Sequence, residues 1–539
     1  MLKLTGVVLD LISDPEIFKL LDCGLRGGIC MISKRHGLAN NNRVPGYDET
    51  KPTSHIVYYD ANNLYGWAMA QPLADKNFRW LDEKDSSKID WQAQTETQET
   101  GYFFECDLEY PQILHDSHNE YPLAPERLLL REEMISETQK KIVTCYNIPR
   151  TSLYQTKLVP NLMTKKKYAV HYLNLKFYLD LGLQLTKIHR VIAFHQSPWL
   201  AQYINLNQQL RAKATNDFEK DFFKLMNNSV YGKTCENMKK RTDIKLVTKE
   251  KKLKKLIIKP HCMSYRIFTE KLSGVQLKKV KVLINKPFYV GFSVLELSKL
   301  LMYRFHYDYI KPKYQERAQL LFTDTDSLMY EIETPDIYKD MWRDRDLFDF
   351  ASYPKDSPYF DPINNKVLGE TKDEALGLPI REFIGLRPKM YSFLISTDPV
   401  DPTKIKEKHV AKGIQRAVIL QLRHEDYRRQ LEAPLENHQT NRRIGARLHE
   451  LYTFEVDKRG LCAYDDKRYM VDSIRSLAYG HYRIPHQQVD IDMHPDGPAD
   501  AGMIIVPHAE FGRAKLKRKQ ERIVAAVNCT IKTFRTLIR

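Results

Sequence analysis

The sequence has no pair of cysteines in the CxxC spacing and no apolar run long enough to cross a bilayer. Its eight cysteines are scattered over 539 residues, so neither a zinc ribbon nor an iron–sulfur module is predicted. A membrane-spanning helix needs about 20 apolar residues, and Asp10, Asp14 and Glu16 interrupt the apolar N-terminus, which also argues against a signal peptide. We therefore expect a soluble, intracellular protein with reduced thiols and no membrane partner.

Positive charge is in excess. The formal net charge is +16 and the pI is about 9.2, which suits a polyanionic partner such as nucleic acid because phosphates attract lysine and arginine. Ribosome-associated, membrane-surface and simply soluble basic proteins have the same composition, so charge alone does not decide. The apolar content of 42% is ordinary for a globular chain, and the length allows several domains.

The sequence contains no internal repeat, but several segments have a clear pattern. The apolar run HIVYY ends in Asp60 and predicts a strand, and residues 101–110 alternate like another. Residues 218–231 have apolar side chains spaced for one face of a helix. Residues 319–331 read as two apolar arms around an acidic turn, which predicts a hairpin. Residues 239–286 are rich in lysine.

Three aspartates are the first candidates for chemistry. Asp60 follows a predicted strand, and Asp324 and Asp326 lie at the predicted hairpin turn. Carboxylates in such positions can converge although they are far apart in sequence, and carboxylate oxygens are preferred ligands of Mg²⁺. Each of them alone is more often an ordinary turn or capping residue.

The segment KLMNNSVYG is the second candidate. Helical spacing would place Lys224, Asn228 and Tyr231 on neighbouring faces. A lysine can neutralise phosphate oxygens, and an aromatic ring can lie against a base. Arg211 and Lys213, upstream, could add charge or could be surface residues. An ordinary amphipathic helix with a solvated lysine is the simpler alternative.

In this order, YYDANNLYG, KLMNNSVYG, FTDTDS and Lys389-Met390-Tyr391 resemble motifs A, B, C and KxY of the family B DNA polymerases. The resemblance covers roughly residues 20–484 and is closest to the protein-primed branch of viruses and Maverick/Polinton elements. It implies an α+β, right-hand polymerase fold with palm, fingers and thumb. The antiparallel palm sheet would carry the metal-binding carboxylates.

The resemblance also implies roles for particular residues. Asp60 and Asp326 would be the principal metal ligands, with Asp324 beside them and the Ala61 carbonyl helping. Tyr65 would exclude the ribose 2′ hydroxyl. The remaining nucleotide-binding residues would be Arg211, Lys213, Lys224, Asn228 and Tyr231. The residues implied for the primer, the DNA and the motif C turn are Arg26, Gly27, Gly28, Thr325, Ser327, Lys389 and Tyr391.

The implied cofactors are two Mg²⁺ ions, with Mn²⁺ able to substitute. The implied partners are a DNA template-primer, deoxynucleoside triphosphates and a terminal priming protein, in the nucleus or at a viral replication site. Two residues depart from the family pattern: Gly66 replaces the proline after Tyr65, and Phe322 replaces a tyrosine. Only 59 residues precede Asp60, too few for an exonuclease domain with its own acidic metal site, so we expect no 3′–5′ exonuclease.

The expected organisation begins with a remnant of a linker to an exonuclease domain over residues 1–50. Palm and fingers follow over 51–390, with insertions at about 70–200 and 239–290, then a thumb over 391–484 and an unmatched basic tail over 485–539. A reverse transcriptase is a weaker alternative, because its turn would read YxDD. The other alternative is an inactive, domesticated remnant that only binds DNA.

Overall fold

The computed structural model describes residues 1–153, 155–238, 241–279, 281–398, 401, 404–447 and 450–485, and the backbone of 504–507. Nearly all of the predicted tail therefore lies outside the described residues. None of the helices in these ranges is both long and apolar enough to cross a membrane.

The largest sheet among these residues is antiparallel and has nine strands. They are β1 (Cys30–Ile32), β2 (His36–Leu38), β3 (Ser54–Ala61), β4 (Ala318–Asp324), β5 (Ser327–Glu333), β6 (Thr371–Asp373), β7 (Ile380–Arg387), β8 (Met390–Ser396) and β9 (Ile405–Ala411). The order is β1-β4-β5-β3-β7-β8-β9, while β6 pairs with β3 and β2 pairs with β7. The predicted strand before Asp60 and the predicted hairpin are thus neighbours in one sheet.

Seven helices matter for the site or its support. They are α1 (Pro15–Gly24), α2 (Leu64–Ala70), α3 (Ala201–Lys213), α4 (Asp217–Thr234), α5 (Glu250–Ile257), α6 (Phe288–Arg304) and α7 (His424–Glu432). Almost every residue of α6 is buried, as expected for a helix that is apolar on all sides. It packs against α2, α4 and the four-stranded sheet that contains Leu73–Leu81 and Lys165–His171, so it forms the centre of the main core.

Smaller sheets occupy the two predicted insertions. The first contains a four-stranded sheet in the order Leu73–Leu81, Gln184–Ser197, Thr100–Glu109, Lys165–His171, and the strand pair Glu126–Leu129 with Thr156–Val159. The second contains a three-stranded sheet in the order Asp243–Val247, Leu272–Leu277, Cys262–Thr269. Both predicted insertions thus form sheets separate from the largest one.

Further strand pairs are His438–Arg447 with Glu450–Arg459, Tyr469–Met470 with Ser476–Leu477, and Lys281–Ile284 with Ile504–Pro507. The shorter α-helices are Leu2–Thr5, Glu83–Ser86, His115–His118, Glu137–Cys145, Arg150–Leu153, Tyr172–Asp180, Lys311–Tyr314, Ile337–Arg343 and Arg416–Ile419. One-turn 3₁₀ helices span Gln112–Leu114, Glu132–Met134, Gln315–Arg317 and Arg345–Leu347, and a π-helix spans Phe305–Ile310. Helix Glu137–Cys145, which lies inside the first predicted insertion, contributes Ile142 to a core shared with α7 in the predicted thumb.

The predicted apolar face of α4 is not a buried face. Phe218 and Leu225 are 79% and 63% exposed, and Phe222 is also exposed, whereas Asn227 is buried. Asn227 accepts a hydrogen bond from Asn207 of α3 at 2.8 Å. The helix itself is present at the predicted place, but a polar contact with α3 and the packing of its C-terminal half position it.

Helix α7 is held to the large sheet by a buried carboxylate. Glu382 on β7 accepts hydrogen bonds from His36 at 2.8 Å and from Arg428 of α7 at 2.6 Å, and His424 lies 3.4 Å away. Burial by itself would raise the pKa of Glu382, but the hydrogen bonds and positive charges of these partners outweigh it and lower the pKa.

We expect Glu382→Gln to destabilise the protein by about 3 kcal/mol at pH 7, because it leaves the buried His424 and the partly buried Arg428 without a charged partner. A carboxylate with a lowered folded-state pKa stabilises the fold above its unfolded pKa of about 4.3, and that contribution is lost as the pH falls below it. Urea unfolding of parent and variant should therefore differ at pH 7, and the difference should shrink progressively as the pH falls from about 4 toward the lowered pKa of Glu382 in the folded protein. Glu425→Gln, which removes an exposed carboxylate from the same Arg428, should have a much smaller effect. Equal effects of the two substitutions would contradict the prediction.

Candidate active site

The register of the large sheet brings the predicted aspartates together. Ser327 on β5 pairs with Asp60 on β3, and the Ala61 amide donates to the Asp326 carbonyl at 2.7 Å. Asp60 and Asp326 both line a cleft of about 310 Å³. The strand end and the hairpin turn converge as the sequence pattern predicts.

The same cleft collects most of the residues predicted to bind a nucleotide. Besides the two aspartates, it is lined by Ala61, Tyr65, Arg211, Lys224 and Asn228. Lys224 and Asn228 project from α4 one turn apart, and Arg211 lies at the end of α3. Lys213 is exposed and does not line the cleft, so of the two upstream cations the structure places Arg211 there.

The two predicted tyrosines contact each other at the edge of this cleft. The rings of Tyr65 and Tyr231 are stacked, with centroids 4.6 Å apart and an interplanar angle of 18°. At Gly66, which follows Tyr65, a Cβ would lie 2.2 Å from Nδ2 at the tip of the Asn63 side chain. The departure at Gly66 therefore fits the local packing at the start of α2.

The electrostatics of the cleft favour a bound cation. Burial raises the pKa of Asp60 to about 7, with Lys372 opposing this rise and Asp326 adding repulsion. Burial also raises the pKa of Asp326, and the neighbouring charge of Asp324 adds to the rise. A divalent cation between Asp60 and Asp326 would offset both the repulsion and the loss of solvation.

The residues of the cleft fit Mg²⁺. No group of three or more histidine, cysteine, aspartate or glutamate side chains that could enclose a metal ion occurs in the ranges that the structure describes. Asp349, which also lines the cleft, accepts a hydrogen bond from Asn62 Nδ2 at 2.8 Å. The donors that could hold a metal ion are therefore the carboxylates of Asp60 and Asp326, with Ala61 beside them. Mg²⁺ prefers oxygen ligands and is usually held by one or two carboxylates together with waters and substrate phosphates.

Asp324 faces a different neighbour. Lys389 Nζ lies 2.5 Å from its carboxylate. Lys389 also lines a second cleft, of about 340 Å³. The other cations there are Lys157, Arg387, Lys412, Arg459 and Lys467, and two acidic residues, Asp465 and Asp466, share the lining.

Tyr391 is buried against Phe322. The two rings stack with centroids 4.5 Å apart, and the Tyr391 hydroxyl lies 3.5 Å from that of Tyr58. Phe322, the second departure from the family pattern, therefore fills the space beside Tyr391 without a hydroxyl. This stack supports the sheet next to the turn that carries Asp324.

The glycine pair reaches the hairpin turn from the other side. A Cβ on Gly28 would lie 2.4 Å from Thr325 Cγ2, while a Cβ on Gly27 would meet nothing within 4 Å. The Thr325 amide donates to the Ile29 carbonyl at 2.7 Å, and Thr325 has a positive φ of 68°. Gly28 thus permits close packing of this segment on the turn between Asp324 and Asp326.

Arg26 is buried in the fold rather than exposed on the surface. It is 7% exposed, its guanidinium lies over the Tyr168 ring, and it donates to the Ala169 carbonyl at 2.8 Å. The predicted contact of Arg26 with DNA is therefore not supported by its position.

Sequence reasoning also missed Lys372, whose Nζ lies 3.1 Å from Asp60 Oδ1. No motif marked this lysine.

These features define a class of protein: a nucleic-acid polymerase of the right-hand type, with carboxylates on the antiparallel palm sheet beside a basic cleft. The family model described as DNA polymerase type B, organellar and viral, matches residues 43–311. Over these residues the chain belongs to that family, whose members generally use divalent metal ions.

Solved structures of Phi29 DNA polymerase are similar to the chain. A binary complex with primer-template DNA has 16% sequence identity and a TM-score of 0.46, over 85% of this chain and 64% of that one. An orthorhombic crystal form has 14% identity and a TM-score of 0.48, over 85% and 65%. The chain thus spans slightly less than two thirds of the Phi29 enzyme. The comparison with curated proteins gave no significant match.

Proposed function

We propose that the chain adds deoxynucleotides to the 3′ end of a primer on a DNA template, with catalysis by two divalent metal ions. The observation that carries this proposal is the convergence of Asp60, Asp326, Tyr65, Arg211 and Lys224 on one cleft. Carboxylates, a ring and cations are what the reaction needs, because the protein must position a triphosphate and offset its developing charge.

Each side chain has a defined task in this proposal. Asp60 and Asp326 would hold Mg²⁺, which when bound lowers the pKa of the primer hydroxyl and offsets charge on the phosphates. Lys224 and Arg211 bind the triphosphate oxygens and keep the nucleotide in line with the primer end. Lys389, on the other side of the turn, binds the backbone of the primer terminus.

Primer extension by the purified chain is the direct test. A labelled primer-template, Mg²⁺ and all four deoxynucleoside triphosphates should give template-directed products, and Mn²⁺ should substitute for Mg²⁺. DNA binding without any extension would instead favour the inactive remnant. Extension on RNA but not on DNA templates would favour a reverse transcriptase.

Tyr65→Val should increase ribonucleotide incorporation relative to deoxynucleotide incorporation by at least about tenfold. The Tyr65 ring, fixed by stacking on Tyr231, would leave no room for a ribose 2′ hydroxyl, the group by which proteins distinguish RNA from DNA. The measurement is kcat/KM for each nucleotide. Tyr65→Phe keeps the ring and should keep the discrimination. An unchanged ratio for Tyr65→Val would place the selecting group elsewhere.

We also propose that the enzyme is of the protein-primed type and that its second insertion binds DNA. Four lysines of α5 are exposed on this insertion: Lys251, Lys252, Lys254 and Lys255. Leu253 and Leu256 anchor α5 to the three-stranded sheet. Ile258, at the end of the helix, is 80% exposed and does not anchor it. The four lysines are therefore exposed to a phosphate backbone, for which Lys254 would exchange its ion pair with Glu250 at 2.7 Å.

Reversing these four lysines to glutamate should weaken DNA binding by about tenfold or more and shorten the products of one binding event. The magnitude of the slope of the logarithm of the binding constant against the logarithm of the salt concentration should fall by about 0.9 for each lysine that contacts a phosphate. Single-nucleotide addition at saturating DNA should change little, because the cleft is elsewhere.

A second quadruple variant controls for the change in net charge. It reverses four other exposed lysines: Lys84, Lys88, Lys140 and Lys141. If both variants weaken binding equally, the effect is general electrostatics and α5 is not a DNA-binding element.

A further inference from the structure

Lys372 is fixed opposite one of the carboxylates of the cleft. Strand β6 pairs with β3 so that Lys372 stands across from Asp60, and its Nζ lies 3.1 Å from Asp60 Oδ1. The same ammonium group contacts Glu374. The contact with Asp60 is therefore set by the backbone register of the sheet and not only by the freedom of a long side chain.

The strand that carries Lys372 is firmly held. The next residue, Asp373, is 3% exposed and accepts hydrogen bonds from the Gly377 amide at 2.7 Å and from the Tyr353 hydroxyl at 2.9 Å. Buried, fully bonded carboxylates of this kind fix the backbone around them. The position from which Lys372 reaches Asp60 is consequently rigid, while its ammonium group can move on a four-carbon stem.

Lys372 also faces the place where a triphosphate would lie. It lines the same cleft as Arg211 and Lys224. Its side chain is 30% exposed, so it has room to turn from the carboxylate toward an anion in the cleft. A phosphate and Asp60 are alternative partners for one positive charge.

Asp326 differs from Asp60 in its ion pairing. In the part of the chain that the structure describes, no lysine or arginine forms an ion pair with Asp326, while Lys389 and Lys372 are paired with Asp324 and Asp60. A divalent cation that binds both Asp60 and Asp326 must displace, or bind against the repulsion of, the ammonium group of Lys372.

We propose that Lys372 is a positioning residue that occupies Asp60 before substrate arrives and transfers to the triphosphate when the nucleotide binds. Metal binding at Asp60 is then weak without nucleotide and strengthened by it, so that the two ligands are coupled through one lysine. The proposal rests on the proposed polymerase function and adds to it a reason why metal and nucleotide enter together.

The test measures metal binding without catalysis. Mn²⁺ is titrated into the nucleotide-free, DNA-free protein and followed by electron paramagnetic resonance. Lys372→Gln should bind Mn²⁺ about tenfold more tightly than the parent, because a repelling charge is gone. Lys372→Arg keeps the charge and should resemble the parent. Lys372→Met fills the same space without charge and should resemble Lys372→Gln, which gives a second variant should one of them fold poorly.

Lys366→Gln is the matched control. Lys366 lines the same cleft, but it forms no ion pair with Asp60 in the described structure. This variant removes the same charge from the cleft and should leave Mn²⁺ affinity close to that of the parent. Equal tightening by Lys366→Gln and Lys372→Gln would overturn the proposal, because the effect would then be general to the cleft.

Steady-state kinetics supply a second readout. Loss of Lys372 should raise KM for the nucleotide severalfold and change kcat less, since the residue binds the triphosphate rather than reacting, and Lys372→Arg should restore KM. If the parent extends primers but Mn²⁺ affinity is unchanged in Lys372→Gln, the role of Lys372 is wrong and the polymerase function stands. If the parent extends no primer with either Mg²⁺ or Mn²⁺, the proposed function itself fails.

Discussion

Replacing Asp60 or Asp326 by asparagine should reduce primer extension by about a thousandfold or more. The substitution keeps the shape of the side chain but removes a negative charge from a cleft where metal ions would stabilise the transition state. Both residues line one cavity. Asp349, the other carboxylate described there, already accepts hydrogen bonds from Asn62 and the Lys366 amide, so it cannot easily replace them. Extension is measured under single-turnover conditions, and primer-template affinity is measured separately.

Affinity for DNA should largely survive in both variants, because the cations that we propose to contact phosphate are unchanged. Asp324→Asn is the contrasting substitution. Asp324 is paired with Lys389 and does not line the nucleotide cleft, so its loss should reduce extension less than the loss of Asp60 or Asp326. Near-normal extension by Asp60→Asn or Asp326→Asn would exclude these residues as metal ligands.

Gly28→Ala should reduce extension by about a hundredfold while the fold remains intact. The added methyl group would lie 2.4 Å from Thr325 Cγ2, so the turn between Asp324 and Asp326 must shift. A displacement of about 1 Å in a reacting group can cost a hundredfold in rate. Single-turnover extension and thermal unfolding of the same preparation separate a displaced turn from an unfolded protein.

A second-site substitution tests this explanation. Thr325→Gly removes the side chain that the new methyl group would meet and tolerates the positive φ of 68° at this position. The double variant Gly28→Ala, Thr325→Gly should recover most of the activity. Gly27→Ala, where nothing lies within 4 Å of the added methyl, should have a much smaller effect. No recovery in the double variant would show that Gly28 acts by another route, such as contact with DNA.

Local sequence patterns predicted several elements well. The apolar run before Asp60 forms β3 (Ser54–Ala61), and the FTDTDS segment forms the turn between β4 and β5. A short apolar run rich in β-branched and aromatic residues favours a strand, and turn residues between two such runs favour a hairpin, so neighbouring residues suffice for both predictions. The helix that carries Lys224 was likewise predicted from neighbouring residues, by apolar side chains spaced for one face of a helix.

The environment of those elements was less predictable. The apolar residues of α4 suggested a buried face, yet Phe218 is 79% exposed. The family resemblance implied a DNA contact for Arg26, yet Arg26 is buried on Tyr168. Side-chain type constrains burial only statistically, and the neighbours that decide it come from segments far away in the chain.

The sequence alone therefore determined the strand, the acidic hairpin, the helix with its lysine, and through their order the polymerase family. Tertiary structure alone decided that Lys372 stands opposite Asp60 and that Gly28 lies against Thr325. Each of these pairs joins residues about 300 positions apart, and no periodicity or spacing records such a contact. Strand register decides the first pair, because it fixes every cross-strand neighbour at once. Close packing decides the second, because it requires that no Cβ be present where the Gly28 backbone meets the Thr325 side chain.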